Sequence, residues 1–293
     1  MDAVFRKFLA AVILAVFMFS AQIAAAANIA WSKAPRIGTK AELYRYIESK
    51  RRKNPTTLNK KITFHINFTN LHNFGIHSID DFKRYNFKRV APCDNMSLSN
   101  IISINETNGT AQIIIETKEY PGTRVANAYL SKSTDIAWKN LDYEEKLLYS
   151  EALKIIAEAN KYSSEEEKAR YIFNEIRKRA TYYNEKEHLD NNKNLKPFCT
   201  AIGVKIDGKK GYSCEGYTDA FYMLGRMCNL DVKRIYGTAT DSYGQWGGHA
   251  WNIITFKDGK SYCIDLISGL FKATYKDMKN NYECEWEIIP NLQ

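Results

Sequence analysis

The chain has 293 residues and a formal net charge of +9, long enough for one large domain or two small ones. Its six cysteines include no CxxC pair, which argues against a zinc site of the usual spacing. No nucleic-acid motif accompanies the basic residues, so the charge points away from DNA or RNA as partner.

Residues 1–27 read as a secretory signal peptide. Arg6 and Lys7 form a short basic region, Phe8 to Phe19 an apolar run, and Ala24 to Ala27 a small-residue cleavage zone. The run is too short to span a bilayer comfortably, and no second one follows. The mature chain is therefore expected to be secreted or held at the cell surface, with no transmembrane segment. The leader carries a net +1, leaving +8 of the formal +9. That balance fits contact with an anionic cell-surface polymer, or solubility alone.

Residues 28–140 read as a small α+β region. Thr39 to about Arg52 is a helix, with Thr39 and Glu42 as a capping box and Leu43, Tyr46 and Ile47 as its apolar stripe. Lys61 to Thr69 alternates as a half-buried strand, with His65 on its solvated side. Ser78 opens a short helix with Asp81 three residues on, and His72 and His77 flank it without a metal-ligating partner at useful spacing. Two further strands, Asn100 to Thr107 and Thr110 to Lys118, meet at Asn108-Gly109, a strong signal for a two-residue hairpin.

Residues 141–293 read as the catalytic domain. Tyr143 to Ala159 is a helix with Leu148, Ala152, Ile155, Ile156 and Ala159 on one face. The next helix starts at a Ser164/Glu167 capping box, buries Ala169, Ile172, Phe173, Ile176 and Ala180, and ends in Arg177, Lys178 and Arg179, where the helix dipole favours cations. His188 lies in a long polar stretch remote from the strand region, a poor position for a base.

The stretch from Gly211 to Ile267 carries the chemistry. Tyr217, Ala220, Phe221, Leu224 and Cys228 form the buried stripe of a helix, which makes Cys228 a core thiol and puts Cys214 at the helix start. A free thiol with a pKa of about 8.5 is only about 3% ionised at pH 7, and a helix N-terminus beside an imidazolium favours the thiolate. Gly247 and Gly248 precede His249 at the mouth of the strand HAWNIITF, and SYCIDLI follows after a turn. A two-residue turn at Asp258-Gly259 would set Asp265 opposite Asn252, away from His249. A three-residue loop, Lys257 to Gly259 with Gly259 left-handed, sets Asp265 opposite Trp251, on the face of His249. The three-residue loop is expected, with Asn252 as fallback partner. Trp246 and Trp251 form either a hydrophobic wall for an acyl side chain or ordinary core. Of the cysteines, Cys93, Cys199, Cys228, Cys263 and Cys284 remain if Cys214 stays free. That odd number requires another free thiol or a bond between chains.

GYSCEGY at the helix start, GGHAWN at the first strand and YCID at the second together resemble the transglutaminase-like superfamily, a papain-related group with the order Cys, His, Asp. SSEEEKARYIFNEIRKRATYY is similar to the helix leading into the core of its bacterial secreted members, and the resemblance covers roughly Leu141 to Leu270. It implies an α+β fold with the nucleophile helix packed on an antiparallel sheet. It further implies Cys214 as nucleophile, His249 as base and Asp265 as orienter, acting on a protein or cell-wall peptide without metal or organic cofactor. Water as second substrate makes a peptidase or amidase, the favoured reading, and an amine makes a cross-linker. The alternative is a non-catalytic cell-surface binding or scaffold protein that keeps the fold. The chain departs from the family pattern at Ser261 after the turn and at Leu266-Ile267-Ser268 after Asp265.

Overall fold

In the computed structural model the described residues are 34–53, 61–85, 87, 96–105, 107–131, 134–182, 200–203, 213–240 and 243–284. The expected signal peptide, Cys93, Cys199 and His188 lie outside them. The chain divides into two units: residues 1–39, 63–85 and 101–114, and residues 40–62, 86–100 and 115–293.

Helix α1 (Lys40–Lys53) and strand β1 (Lys61–Asn67) stand where the periodicity sets them, and the chain then winds into a 3-10 helix (Phe68–Phe74). Helix α2 (Ile79–Arg84) starts as expected, with the Ser78 hydroxyl accepting from the Asp81 amide at 3.0 Å. Strands β2 (Met96–Asn105) and β3 (Thr110–Lys118) join β1 in a sheet of order β1-β3-β2.

Two expectations for this region are corrected. The link between β2 and β3 runs from Asn105 to Thr110 and is longer than the two-residue turn. Of the expected turn pair, Asn108-Gly109, only Gly109 has positive φ (57°). The Asn108 amide donates to the Asn105 side chain at 3.1 Å, a local side-chain bond that competes with the tighter turn. His65 is buried, not solvated. Backbone bonds from His65 N–H to the Pro35 carbonyl (2.9 Å) and from Ile37 N–H to the His65 carbonyl (2.8 Å) lay the preceding chain along the strand edge. Burial and Arg36 hold the His65 imidazole pKa below its ordinary value.

The second unit holds the candidate site. Helices α3 (Pro121–Leu130) and α4 (Thr134–Lys139) precede α5 (Tyr143–Ala159) and α6 (Glu165–Arg179). The expected Ser164/Glu167 capping box opens α6, and a second box, Asp142/Glu145, which the sequence reading did not name, opens α5. The expected faces of α5 and α6 are buried in one core with helix α7 (Cys214–Met227). Almost every α7 residue from Gly216 to Met227 is buried, so α7 is a central helix enclosed on all sides. Its end is sharply defined: Asn229 takes φ 61°, and the Leu230 amide reaches back to the Gly225 carbonyl at 2.9 Å.

Strands β4 (Asp231–Thr240), β5 (Trp246–Thr255), β6 (Ser261–Asp265), β7 (Leu270–Ala273) and β8 (Tyr282–Cys284) form an antiparallel sheet of order β7-β6-β5-β4-β8, with a one-turn helix α8 (Tyr275–Met278) before β8. Val232, Ile254 and Ile264 face the core shared with α7. Ile235, Trp251, Ile253 and Cys263 form a smaller cluster on the alternate positions. Gly247 and Gly248, set by the sequence just before the strand, already belong to β5, paired with Ala239 and Thr238.

A buried ion pair fixes α7 against its neighbours. Arg234 on β4 donates to Asp219 Oδ1, and both side chains are almost fully enclosed. Asp219 Oδ2 accepts from the Thr200 hydroxyl (2.7 Å) and from the Gly122 amide at the start of α3 (2.9 Å). The Arg234 guanidinium lies 3.6 Å from the Tyr222 ring centroid and 4.7 Å from that of Tyr120. One carboxylate thus ties α7 to α3, to β4 and to the segment at Thr200. Asp219→Ala leaves the guanidinium buried without its counter-charge and is expected to cost about 3–5 kcal/mol, read as the loss of urea-unfolding free energy. A loss under about 1 kcal/mol would remove the pair from this role.

Candidate active site

Cys214 is the first residue of α7, after the N-cap Ser213, whose side chain makes no capping bond. The first-turn amides are therefore without a side-chain cap, and the helix start favours an anion there. Glu215 and Tyr217 follow inside the helix, and Cys214 itself is only partly buried.

The strand register brings the other two predicted residues together. Thr255 pairs with Ser261, Ile254 with Tyr262, Ile253 with Cys263 and Asn252 with Ile264. The Phe256 amide meets the Lys260 carbonyl at 3.0 Å, and the Gly259 amide meets the Phe256 carbonyl at 2.9 Å. This leaves Lys257, Asp258 and Gly259 as a three-residue loop, with Gly259 at φ 81°. Continued by one step, the register sets Asp265 level with Trp251 and on the side of His249. His249 Nε2 and Asp265 Oδ2 are 2.9 Å apart. Asn252, the fallback partner, faces the other way: its side-chain amide donates to the Thr218 carbonyl of α7 at 3.1 Å and to the Lys233 carbonyl at 3.3 Å.

Cys214 acts on the same imidazole as Asp265 does, so His249 stands between thiol and carboxylate. With Nε2 engaged by Asp265, Nδ1 is the nitrogen left for sulfur. Burial alone would lower the imidazole pKa. The bonds and charges of Asp265 and Cys214 override it and push it up to about 9. Burial likewise opposes ionisation of Asp265, but the bonds and charge of His249, with the Tyr282 and Ser268 hydroxyls, hold its carboxyl below the usual range. At neutral pH the site therefore holds an imidazolium against a carboxylate.

Two partners of Asp265 escaped the sequence reading. The Ser268 hydroxyl donates to Asp265 Oδ2 at 2.7 Å, and the Tyr282 hydroxyl to the same oxygen at 2.6 Å. The spacing Asp265-x-x-Ser268 is a local turn signal that was legible. Tyr282 lies seventeen residues on in the chain, and only the β8–β4 pairing brings it back. Gly237 makes that pairing possible. It pairs with both His249 and Cys284, and a Cβ there would lie 2.1 Å from the Glu283 carbonyl and 2.8 Å from the Trp251 ring.

Trp251 is buried in the small cluster, yet its ring also stacks beside His249, with centroids 6.0 Å apart. Trp246 is exposed, as are Tyr243 and the residues between it and Gly248. Cys228 is the core thiol the helix stripe implied, and burial pushes its pKa up to about 11. Cys214, Cys228 and Cys263 carry free thiols. Among the described residues no cluster of three or more metal-ligating side chains occurs, and no helix is long and apolar enough to cross a membrane.

Among solved structures, the chain is similar to a TGase at 15% identity, covering 81% of this chain and 60% of that one, with a TM-score of 0.33. A proposed protease from Parabacteroides distasonis shares 8% identity over 70% of this chain and 40% of its own, at a TM-score of 0.27. A proposed cysteine protease from Cytophaga hutchinsonii shares 11% over 64% and 66%, at 0.29. The chain thus spans 60% of the length of the first of these. A search among curated proteins returned no match. The family model of the Transglutaminase-like superfamily matches residues 154–265, a span that holds Cys214 and His249 and ends on Asp265. Over residues 154–265 the chain is thus similar to the transglutaminase-like superfamily.

Proposed function

We propose that this chain is an exported thiol enzyme that cleaves amide bonds through a thioester on Cys214, with His249 as acid–base and Asp265 as its orienter. The observation that carries the reading is a single imidazole bonded to a buried carboxylate at 2.9 Å and subject to the influence of the Cys214 thiol. The thiolate adds to the amide carbonyl, and the oxyanion faces the Cys214 amide at the helix start. His249 gives its proton to the leaving amine as the C–N bond breaks, then takes one from the incoming nucleophile. The exposed run from Tyr243 to Gly248 leaves the approach to His249 open to solvent, which supports water over an amine as that nucleophile. A protein or cell-wall peptide is the substrate proposed, and the steps call for no metal or organic cofactor. The signal peptide at 1–27, the α+β region at 28–140 and the catalytic domain at 141–293 complete the proposal. The first delivers the chain outside the cytoplasm, where its basic surface meets an anionic polymer.

A screen of labelled peptides and amines tests the reaction. Cys214→Ala is expected to abolish turnover, and His249→Ala to lower kcat/KM by about 10²–10⁴-fold. Absence of turnover in the wild type, together with tight peptide or glycan binding, would favour a binding protein instead.

The same pair should mark stability. A folded pKa of about 9 for His249, against about 6.5 in an unfolded chain, stabilises the fold fully below pH 6.5. That contribution is lost as pH rises through about 9. Urea unfolding should show a loss on the order of 1–3 kcal/mol across this window, and His249→Ala should flatten it. An equal slope in the variant would contradict the assignment.

A further inference from the structure

We infer that Tyr282 and Ser268 are positioning residues that fix Asp265 Oδ2 and draw charge from it, and so set how tightly the carboxylate grips His249. The inference rests on Cys214, His249 and Asp265 being the reacting set.

The Asp265 carboxylate is crowded with donors. Oδ2 accepts from His249 Nε2 at 2.9 Å, Ser268 Oγ at 2.7 Å and the Tyr282 hydroxyl at 2.6 Å. Oδ1 accepts from the amides of Ile267 at 3.0 Å and Ser268 at 3.4 Å. A carboxylate offers about four lone-pair sites, so five donors saturate it and leave it no alternative orientation. Two of the three donors on Oδ2 are neutral hydroxyls in direct competition with the imidazole for one oxygen. The Tyr282 hydroxyl also lies 2.8 Å from Ser268 Oγ, so the two hydroxyls sit side by side on the carboxylate.

The competition matters because His249 has two opposed tasks. It must keep a proton beside the thiolate and then release it to the leaving amine. An unshared carboxylate would hold the imidazolium more firmly and make it a poorer acid. Hydroxyls that take up part of the carboxylate charge weaken that hold while keeping the geometry.

Tyr282 is suited to this role. It stays a neutral donor, because burial and the Asp265 charge raise its phenol well above the ordinary value. Its ring lies 6.0 Å from the His249 ring and 5.4 Å from that of Trp251, so ring and hydroxyl can be tested apart. The other titratable groups near this bond are Cys214 from α7 and Cys263 from β6. Burial pushes the Cys263 pKa up to about 12, which keeps it uncharged in the working range.

The test is the titration of the His249 ring by ¹⁵N NMR in the full chain, its signal assigned with His249→Ala. Tyr282→Phe keeps the ring and Ser268→Ala keeps the backbone turn, and near-UV circular dichroism checks that both are folded. The wild-type ring should titrate near 9. Each variant should move that midpoint upward, by about 0.5 or more, and the double variant further. Unmoved midpoints, or movement down toward 6.5, would overturn the inference and leave the hydroxyls a purely structural part. A wild-type ring titrating near 6.5 would instead sink the reading of the reacting set, and this inference with it.

Discussion

The parity of one loop decides whether Asp265 can meet His249. Side chains alternate along a strand, so a change of one residue in the loop between β5 and β6 would swap every β6 residue to the other face. Gly259 at φ 81° closes a three-residue loop, and that odd length sets Asp265 on the side of His249. A side chain at Gly259 would have to adopt a conformation that L residues rarely take, so the choice of face is written into a residue far from the thiol.

The second constraint is the seating of helix α7. A thiol at its start can work with His249 only if the helix cannot slide or rotate against the strand that carries His249. Helix α7 is buried on all sides, and Asp219, five residues past Cys214 in the sequence, ties it by charge and hydrogen bonds to β4, α3 and Thr200. A buried ion pair is a weak source of net stability, but it is selective. It is satisfied in one arrangement and costly in others. Here it spans the same two elements, α7 and the β4–β5 sheet, whose relation brings Cys214 to His249.

Much of this was legible in the chain. Apolar spacing located α5, α6 and α7, capping residues set the starts of α2 and α6, and loop parity gave the β5–β6 register. What escaped depended on long-range pairing. Arg234 and Asp219 look like ordinary charged residues until β4 lies against α7. Tyr282 acquires meaning only when β8 folds back over Gly237. Helix α3 was signalled by Pro121 at its first position, but its apolar residues are small and its stripe is faint. His65 shows the opposite failure. Alternation placed it correctly on the second face of β1, but no local pattern reveals that Pro35 to Ile37 covers that edge.

The most direct test of the central claim is the pH dependence of iodoacetamide labelling at Cys214, mapped by mass spectrometry in the wild type and in His249→Ala. A Cys214–His249 pair predicts rapid labelling of Cys214 at neutral pH, ahead of the buried thiols of Cys228 and Cys263, and slowed when the imidazole is removed. Labelling that is slow at neutral pH and indifferent to the loss of His249 would contradict it.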